Sequence, residues 1–208
     1  MARVDDYNKA VGLGKKKLKQ KDPELIADLS GAAFNIGPDD RSILSLDFLN
    51  KKVFITWPNF EFSFKEPEKE VPVQQQILLL HYLNGAKMSE ATGKWIAYQE
   101  VPDGRFYLDA FLRRAKNPMV QAFGDKPESL VKSATTAYNA RPFDHGDLSV
   151  IIQALPKVPV ALILWRGDEE FPPEGTILFD STIPEILSAE DIAWLAGMII
   201  YPLIGMAK

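Results

Sequence analysis

Between Ser42 and Lys65 apolar and polar residues alternate with a period of two: Ile43, Leu44, Leu46 and Phe48, then Val53, Ile55 and Trp57, then Phe60, Phe62 and Phe64. Asn50-Lys51 and Pro58-Asn59 separate the three runs, so the segment reads as a three-stranded antiparallel meander. Upstream, residues 4–21 form a basic helix-permissive stretch in which Gly12 and Gly14 are weak points. Asp22-Pro23-Glu24 is a helix start, with an N-cap, a proline at the first helical position and an acidic first turn. The short helix it opens runs through Leu25, Ile26 and Leu29 to Gly31.

Lys65 to Pro72, charged and proline-containing, reads as a loop before the helical run Ile77 to Leu83, which ends near Asn84-Gly85. Trp95 to Val101 has strand composition up to the turn Pro102-Asp103-Gly104. Beyond that turn Phe106, Leu108, Phe111 and Leu112 recur at helical spacing, with Arg113 and Arg114 at the end where cations suit the helix dipole. Pro127 to Tyr138 is a further helix. Leu148 to Leu155 and Val158 to Trp165 are apolar runs divided by Pro156, the second β-branched enough for a buried strand, with Thr176 to Phe179 as its neighbour.

Ser188-Ala189-Glu190-Asp191 has the serine-then-acid spacing of a capping box, and no charge follows from Ile192 to Ala207. These sixteen residues, interrupted by Gly197, Pro202 and Gly205, fall short of the roughly 20 that cross a bilayer, so a core or partner-facing helix is expected rather than an anchor. The elements together predict one α+β domain over residues 1–208, an antiparallel sheet packed against several helices, closed by a long apolar C-terminal helix. No repeat or domain-separating linker interrupts it.

Composition narrows the chemistry. With 46% hydrophobic and 11% aromatic residues the chain is too apolar for disorder. It has no cysteine, which removes disulfides, thiolate metal sites, cluster ligation and a thiol nucleophile. The opening is polar and lysine-rich, without the apolar core of a signal peptide, so a cytoplasmic protein is expected. A net charge of −4 disfavours nucleic acid as a partner. The charge is uneven: residues 1–22 hold seven basic against three acidic side chains, and residues 143–191 two against ten.

Several catalytic patterns fail. Gly12-Leu13-Gly14-Lys15 and Gly93-Lys94-Trp95 lack the spacing and the hydroxyl of a phosphate-binding loop, and there is no nucleophile elbow, zinc-protease helix, calcium loop or dinucleotide fingerprint. Three places remain. In Leu164-Trp165-Arg166-Gly167-Asp168-Glu169-Glu170-Phe171-Pro172-Pro173 three carboxylates follow a buried strand, and in extended backbone Asp168 and Glu170 share a side, as a cation or guanidinium site requires. Phe143-Asp144-His145-Gly146-Asp147 places an imidazole between acids, suited to metal ligation or proton transfer, with a solvated loop as the plain alternative. Should the two stretches meet, Arg113 or Arg114 could balance their charge. His81, in Leu78-Leu79-Leu80-His81-Tyr82-Leu83, reads first as a satisfied core histidine, with haem or corrinoid ligation and base catalysis as alternatives. The lysines between Lys15 and Lys21 read as a solvated face.

The segments Leu79-Leu80-His81-Tyr82-Leu83, Thr92-Gly93-Lys94-Trp95, Gly146-Asp147, Leu155-Pro156, Val158-Pro159, Leu164 to Phe171 and Leu178-Phe179-Asp180 resemble an uncharacterised prokaryotic family classed as a domain of unknown function, some of whose members carry an added iron–sulfur module. The resemblance covers Gln75 to Leu203 and implies a cytoplasmic accessory to iron–sulfur or corrinoid one-carbon metabolism, with no catalytic residue supplied. Three functions follow for test. One is a small-molecule or cofactor-binding accessory with His81, His145, Asp147, Trp165, Asp168 and Glu170 at its site. Another is an enzyme holding a divalent metal on Asp147, Asp168 and Glu170, with His145 or metal-bound water as base. The third is an interaction protein that dimerises, or docks on a partner, through Ile192–Met206.

Overall fold

The computed structural model describes residues 4–37, 42–65 and 70–207, with the backbone alone of Val4. Contacts divide the chain into two compact units, one made of residues up to Ser89 with Glu185–Leu187, the other of Glu90–Pro184 with the residues from Ser188 onward.

The first unit contains α1 (Val4–Leu18), α2 (Pro23–Ser30), β1 (Ala33–Ile36), β2 (Ser42–Phe48), β3 (Lys51–Trp57), β4 (Phe62–Phe64) and α3 (Val73–Gly85). The expected meander is present, but it has a fourth strand: the antiparallel order is β1-β2-β3-β4. Its alternation does what period two requires, since the facing pairs Leu44–Ile55 and Leu46–Val53 are buried while their neighbours reach outward. β1 is an edge strand of four residues with only Phe34 half-covered, and the single alternation Phe34-Asn35-Ile36 is too short to mark a strand in the sequence. The expected loop from Lys65 to Pro72 lies partly outside the described residues.

The helices depart from expectation at their ends. α1 stops at Leu18 rather than at Lys21, and neither glycine breaks it. At Gly14 a Cβ would stand 3.0 Å from the Leu80 Cβ, so the glycine lets α1 lie close on α3. Asp22 caps α2 as expected, accepting from the Glu24 and Leu25 amides at 2.8 and 3.1 Å, and Gly31 closes it at φ 71°. α3 starts at Val73, ahead of the expected apolar run. It buries residues on several sides, and the Tyr82 hydroxyl donates to the Ser30 carbonyl at 2.5 Å.

The second unit contains β5 (Trp95–Ala97), a 3₁₀ turn (Tyr98–Glu100), α4 (Gly104–Phe111), a π turn (Leu112–Lys116), α5 (Asn117–Phe123), α6 (Pro127–Tyr138), β6 (Arg141–Pro142), β7 (Leu148–Leu155), β8 (Val158–Trp165), β9 (Glu174–Asp180) and α8 (Ala189–Met206); the single turn α7 (Ile183–Ile186) before α8 is divided, its Glu185 and Ile186 counting with the first unit. Its sheet is antiparallel in the order β5-β9-β8-β7-β6. β8 is central and buried along all but Trp165, which is why its sequence is an unbroken apolar run. The strand expected over Trp95–Val101 is real only to Ala97.

The helix after Gly104 does not end at its arginines. Pro118 has no N–H to offer the preceding turn, and the backbone widens into the π turn just before continuing as α5. α8 packs against α4, the π turn, α5 and α6, and α6 lies on β7. Its capping box is formed, with the Asp191 amide donating to the Ser188 Oγ at 3.2 Å and the Ser188 Oγ to the Asp191 carboxylate at 2.6 Å. Among the described residues α8 is the helix long and apolar enough to cross a bilayer, and half of it is buried. The fold class is α+β, as expected, with two antiparallel sheets rather than one.

Candidate functional site

β7 and β8 pair with Leu148 opposite Leu164, so Asp147 and Trp165 emerge at the same end of one hairpin. This brings the two acid-rich stretches together. The Asp147 amide donates to the Leu164 carbonyl at 3.1 Å, and its carboxylate accepts from the Arg166 amide at 2.7 Å. Gly146 sits between them at φ 64°, where a Cβ would lie 2.6 Å from the Ile163 Cγ2 and 3.3 Å from the Trp165 ring. Only glycine meets both demands. Replacement of Gly146 by alanine is expected to cost about 2 kcal/mol and to displace Trp165, read as a shift in chemical denaturation and in tryptophan emission.

Among the described residues no set of three His, Asp or Glu side chains is placed to hold an ion, and Asp147 and Asp168 are engaged otherwise. Asp168 Oδ1 accepts from the Phe171 and Glu170 amides at 2.7 and 2.8 Å, a local turn whose two N–H groups hold its carboxyl below the usual range. Arg166 pairs with Glu128, while Arg114, which with Arg113 is one of the two arginines the sequence offers to balance the acids, lies over the Trp194 ring at 6.0 Å. His145 is exposed and stacks flat on Phe143 at 4.3 Å, with Trp95 on the phenyl ring at 5.3 Å.

The acidic turn walls a cavity of about 440 Å³ together with Gly124, Asp125 and Arg166, whose guanidinium is paired with Glu128. Among the described residues no hydrogen bond or ion pair engages the carboxylates of Asp125, Glu169 and Glu170. His81 lies elsewhere, half-buried on α3, beside a cavity of about 390 Å³ whose walls belong to the first unit. Neither cavity is lined by both His81 and the acidic turn, and Trp165 lines neither.

Residues 22–201 match the family described as Domain of unknown function (DUF3786). The chain belongs to this family. No curated protein and no solved structure matches it.

The DUF3786 match takes in His81, His145, Asp147, Trp165, Asp168 and Glu170 and leaves out α1 and the last residues of α8. It also takes in a node that was not among the expected site residues. Asp180, which closes Leu178-Phe179-Asp180, is 1% exposed. Its carboxylate accepts from the Gly93 amide at 2.6 Å, the Thr92 amide at 3.1 Å, the Thr92 hydroxyl at 3.2 Å, and the Thr182 hydroxyl and amide at 2.8 and 3.1 Å. Burial pushes this carboxyl up, yet the amides and hydroxyls more than offset it and hold the pKa below the ordinary value. Thr92-Gly93-Lys94-Trp95 and Leu178-Phe179-Asp180, two segments far apart in sequence and both within the DUF3786 match, are thus two halves of one clamp. The signal available in sequence was an acid that ends an apolar strand, followed by Ser181-Thr182. The donors saturate Asp180, which makes it a positioning residue for the strand edge at β5 rather than a reagent.

Proposed function

We propose that this chain is a small-molecule-binding accessory domain whose ligand is an organic cation, seated in the acidic cavity of the second unit. The observation that carries the reading is the cavity itself. Three carboxylates without partners among the described residues line a space of ligand size, beside an Arg166 whose charge Glu128 already balances, on a turn that Asp168 has already shaped, so little ordering is left for the binding step. Phe171, 67% exposed, with Pro172 and Pro173 offers an apolar wall for the alkyl part of an amine. A compact ion would need donors converging on a point, and these acids are spread along a wall, which suits a chain of ammonium or guanidinium groups.

A setting beside iron–sulfur or corrinoid enzymes belongs to the same proposal, as does a cytoplasmic location. A cysteine-free chain would act there through a partner that carries the cluster.

Calorimetric titration with spermidine at low salt tests the reading. Binding is expected to weaken about tenfold in the double variant Glu169→Gln/Glu170→Gln, to fall with added salt, and to be unchanged in Asp144→Asn. Spermidine binding with equal affinity to both variants, or no binding to the unmodified chain, overturns it.

A further inference from the structure

The first unit holds a cavity of opposite chemistry. Its walls are one stripe from each of two helices: Ala10, Leu13, Gly14 and Lys17 recur on α1 at spacings of three and four, and His81, Asn84 and Gly85 do so on α3, with Ile186 closing the space. Gly14 permits the close approach on Leu80, and the Asn84 Nδ2 ties the pair by donating to the Gly14 carbonyl at 3.1 Å and the Leu80 carbonyl at 2.8 Å. Gly85 is held to glycine, because a Cβ there would meet the Ile186 carbonyl oxygen at 2.1 Å. The cavity is therefore a fixed feature of the helix pair and not a gap left by loose packing.

Among the described residues no carboxylate lines it. Lys17 is at its wall, and Lys21 donates to the Asn84 carbonyl at 2.6 Å. Burial, and then the charge of Lys17, lower the pKa of Lys21, so two cations act on the same small region. The Asn84 Oδ1 is buried and unpartnered among the described residues. The remaining wall, Ala10, Leu13 and Ile186, is apolar, and Leu13 is 61% exposed. Positive charge at one side and alkyl groups at the other are complementary to an amphiphilic anion.

We propose that the α1–α3 cavity binds a small organic anion, a carboxylate or phosphate monoester with a short alkyl tail. Lys17 faces the anionic head, and Leu13 and Ile186 cover the tail. The site draws on α1, which lies outside the family match, and is independent of the acidic cavity of the second unit.

The chain has two histidines, so two imidazole signals in a proton–carbon NMR spectrum report the two units separately, and His81→Gln assigns them. Addition of hexanoate, or of hexyl phosphate, is expected to move the His81 signal and leave that of His145 in place. Lys17→Gln should weaken this binding about tenfold, whereas Lys19→Gln, on the exposed turn after α1, should not. Which of the two anions binds tighter identifies the head group. The proposal is overturned if hexanol moves His81 as far as hexanoate does, if neither anion moves it, or if Lys17→Gln and Lys19→Gln behave alike.

Discussion

Asp180→Asn is expected to destabilise the second unit by about 2 to 3 kcal/mol at neutral pH, and by progressively less as the solution is acidified. Oδ1 carries most of the donors, those from Thr92 and both from Thr182, so an amide would keep its oxygen there. Its NH₂ would then face the Gly93 amide, which now donates at 2.6 Å. Donor against donor in a buried position loses the bond and leaves a group unsatisfied, at roughly 1–3 kcal/mol. The pH dependence follows from the lowered folded-state pKa. The unfolded chain binds the proton more tightly, so the stabilisation is complete above the ordinary carboxylate pKa and is lost as pH falls through the folded one. Denaturant unfolding of both proteins between pH 7 and pH 3 should show two curves that converge at the acid end. Parallel curves would mean that Asp180 is not ionised in the folded chain.

That clamp also marks where the sequence stopped being legible. Period-two alternation is enough for β2 and β3, unbroken apolar length for β7 and β8, and helix-start signals for α6 and α8. β1 and β6 are short edge strands that bury little, so nothing in their composition distinguishes them from loop. The π turn depends on a proline four residues beyond Arg114, a local breaker that tertiary packing on α8 overrides. The acid-rich stretches are legible as compositions, but the β7–β8 pairing that unites them is not, since two apolar runs around Pro156 do not say that they are partners. What the carboxylates bond to could not be read, because that depends on backbone amides: Asp168 and Asp147 look alike as reagents in sequence, yet both are occupied by N–H groups. Asp180 was passed over for the same reason, its partners being Thr92, Gly93 and Thr182 rather than another charged residue.

Ile199→Glu is expected to abolish the folded second unit, whereas Tyr201→Glu, two residues further along α8, should leave it folded. Ile199 has no exposure, and the Tyr138 hydroxyl donates to its carbonyl at 2.9 Å. Burial pushes the Tyr138 phenol well above its usual range, so that hydroxyl stays a neutral donor across ordinary pH. Removal of the isoleucine side chain alone would cost about 2 to 5 kcal/mol. A carboxylate in its place adds a desolvation penalty that rivals the roughly 5–15 kcal/mol net stability of a domain. Tyr201 is 57% exposed and Met206 48%, so a charge at Tyr201 changes stability by about 0.5 kcal/mol or less. This pairing separates two roles for the apolar helix. Circular dichroism and soluble yield report on the core role through Ile199→Glu, and light scattering of Tyr201→Glu against the unmodified chain reports on a second copy held at the exposed end. A folded Ile199→Glu would contradict the packing of α8 against α4, α5 and α6. A mass that falls by half only in Tyr201→Glu would show that the few side chains α8 leaves outside its own core are enough to join two chains.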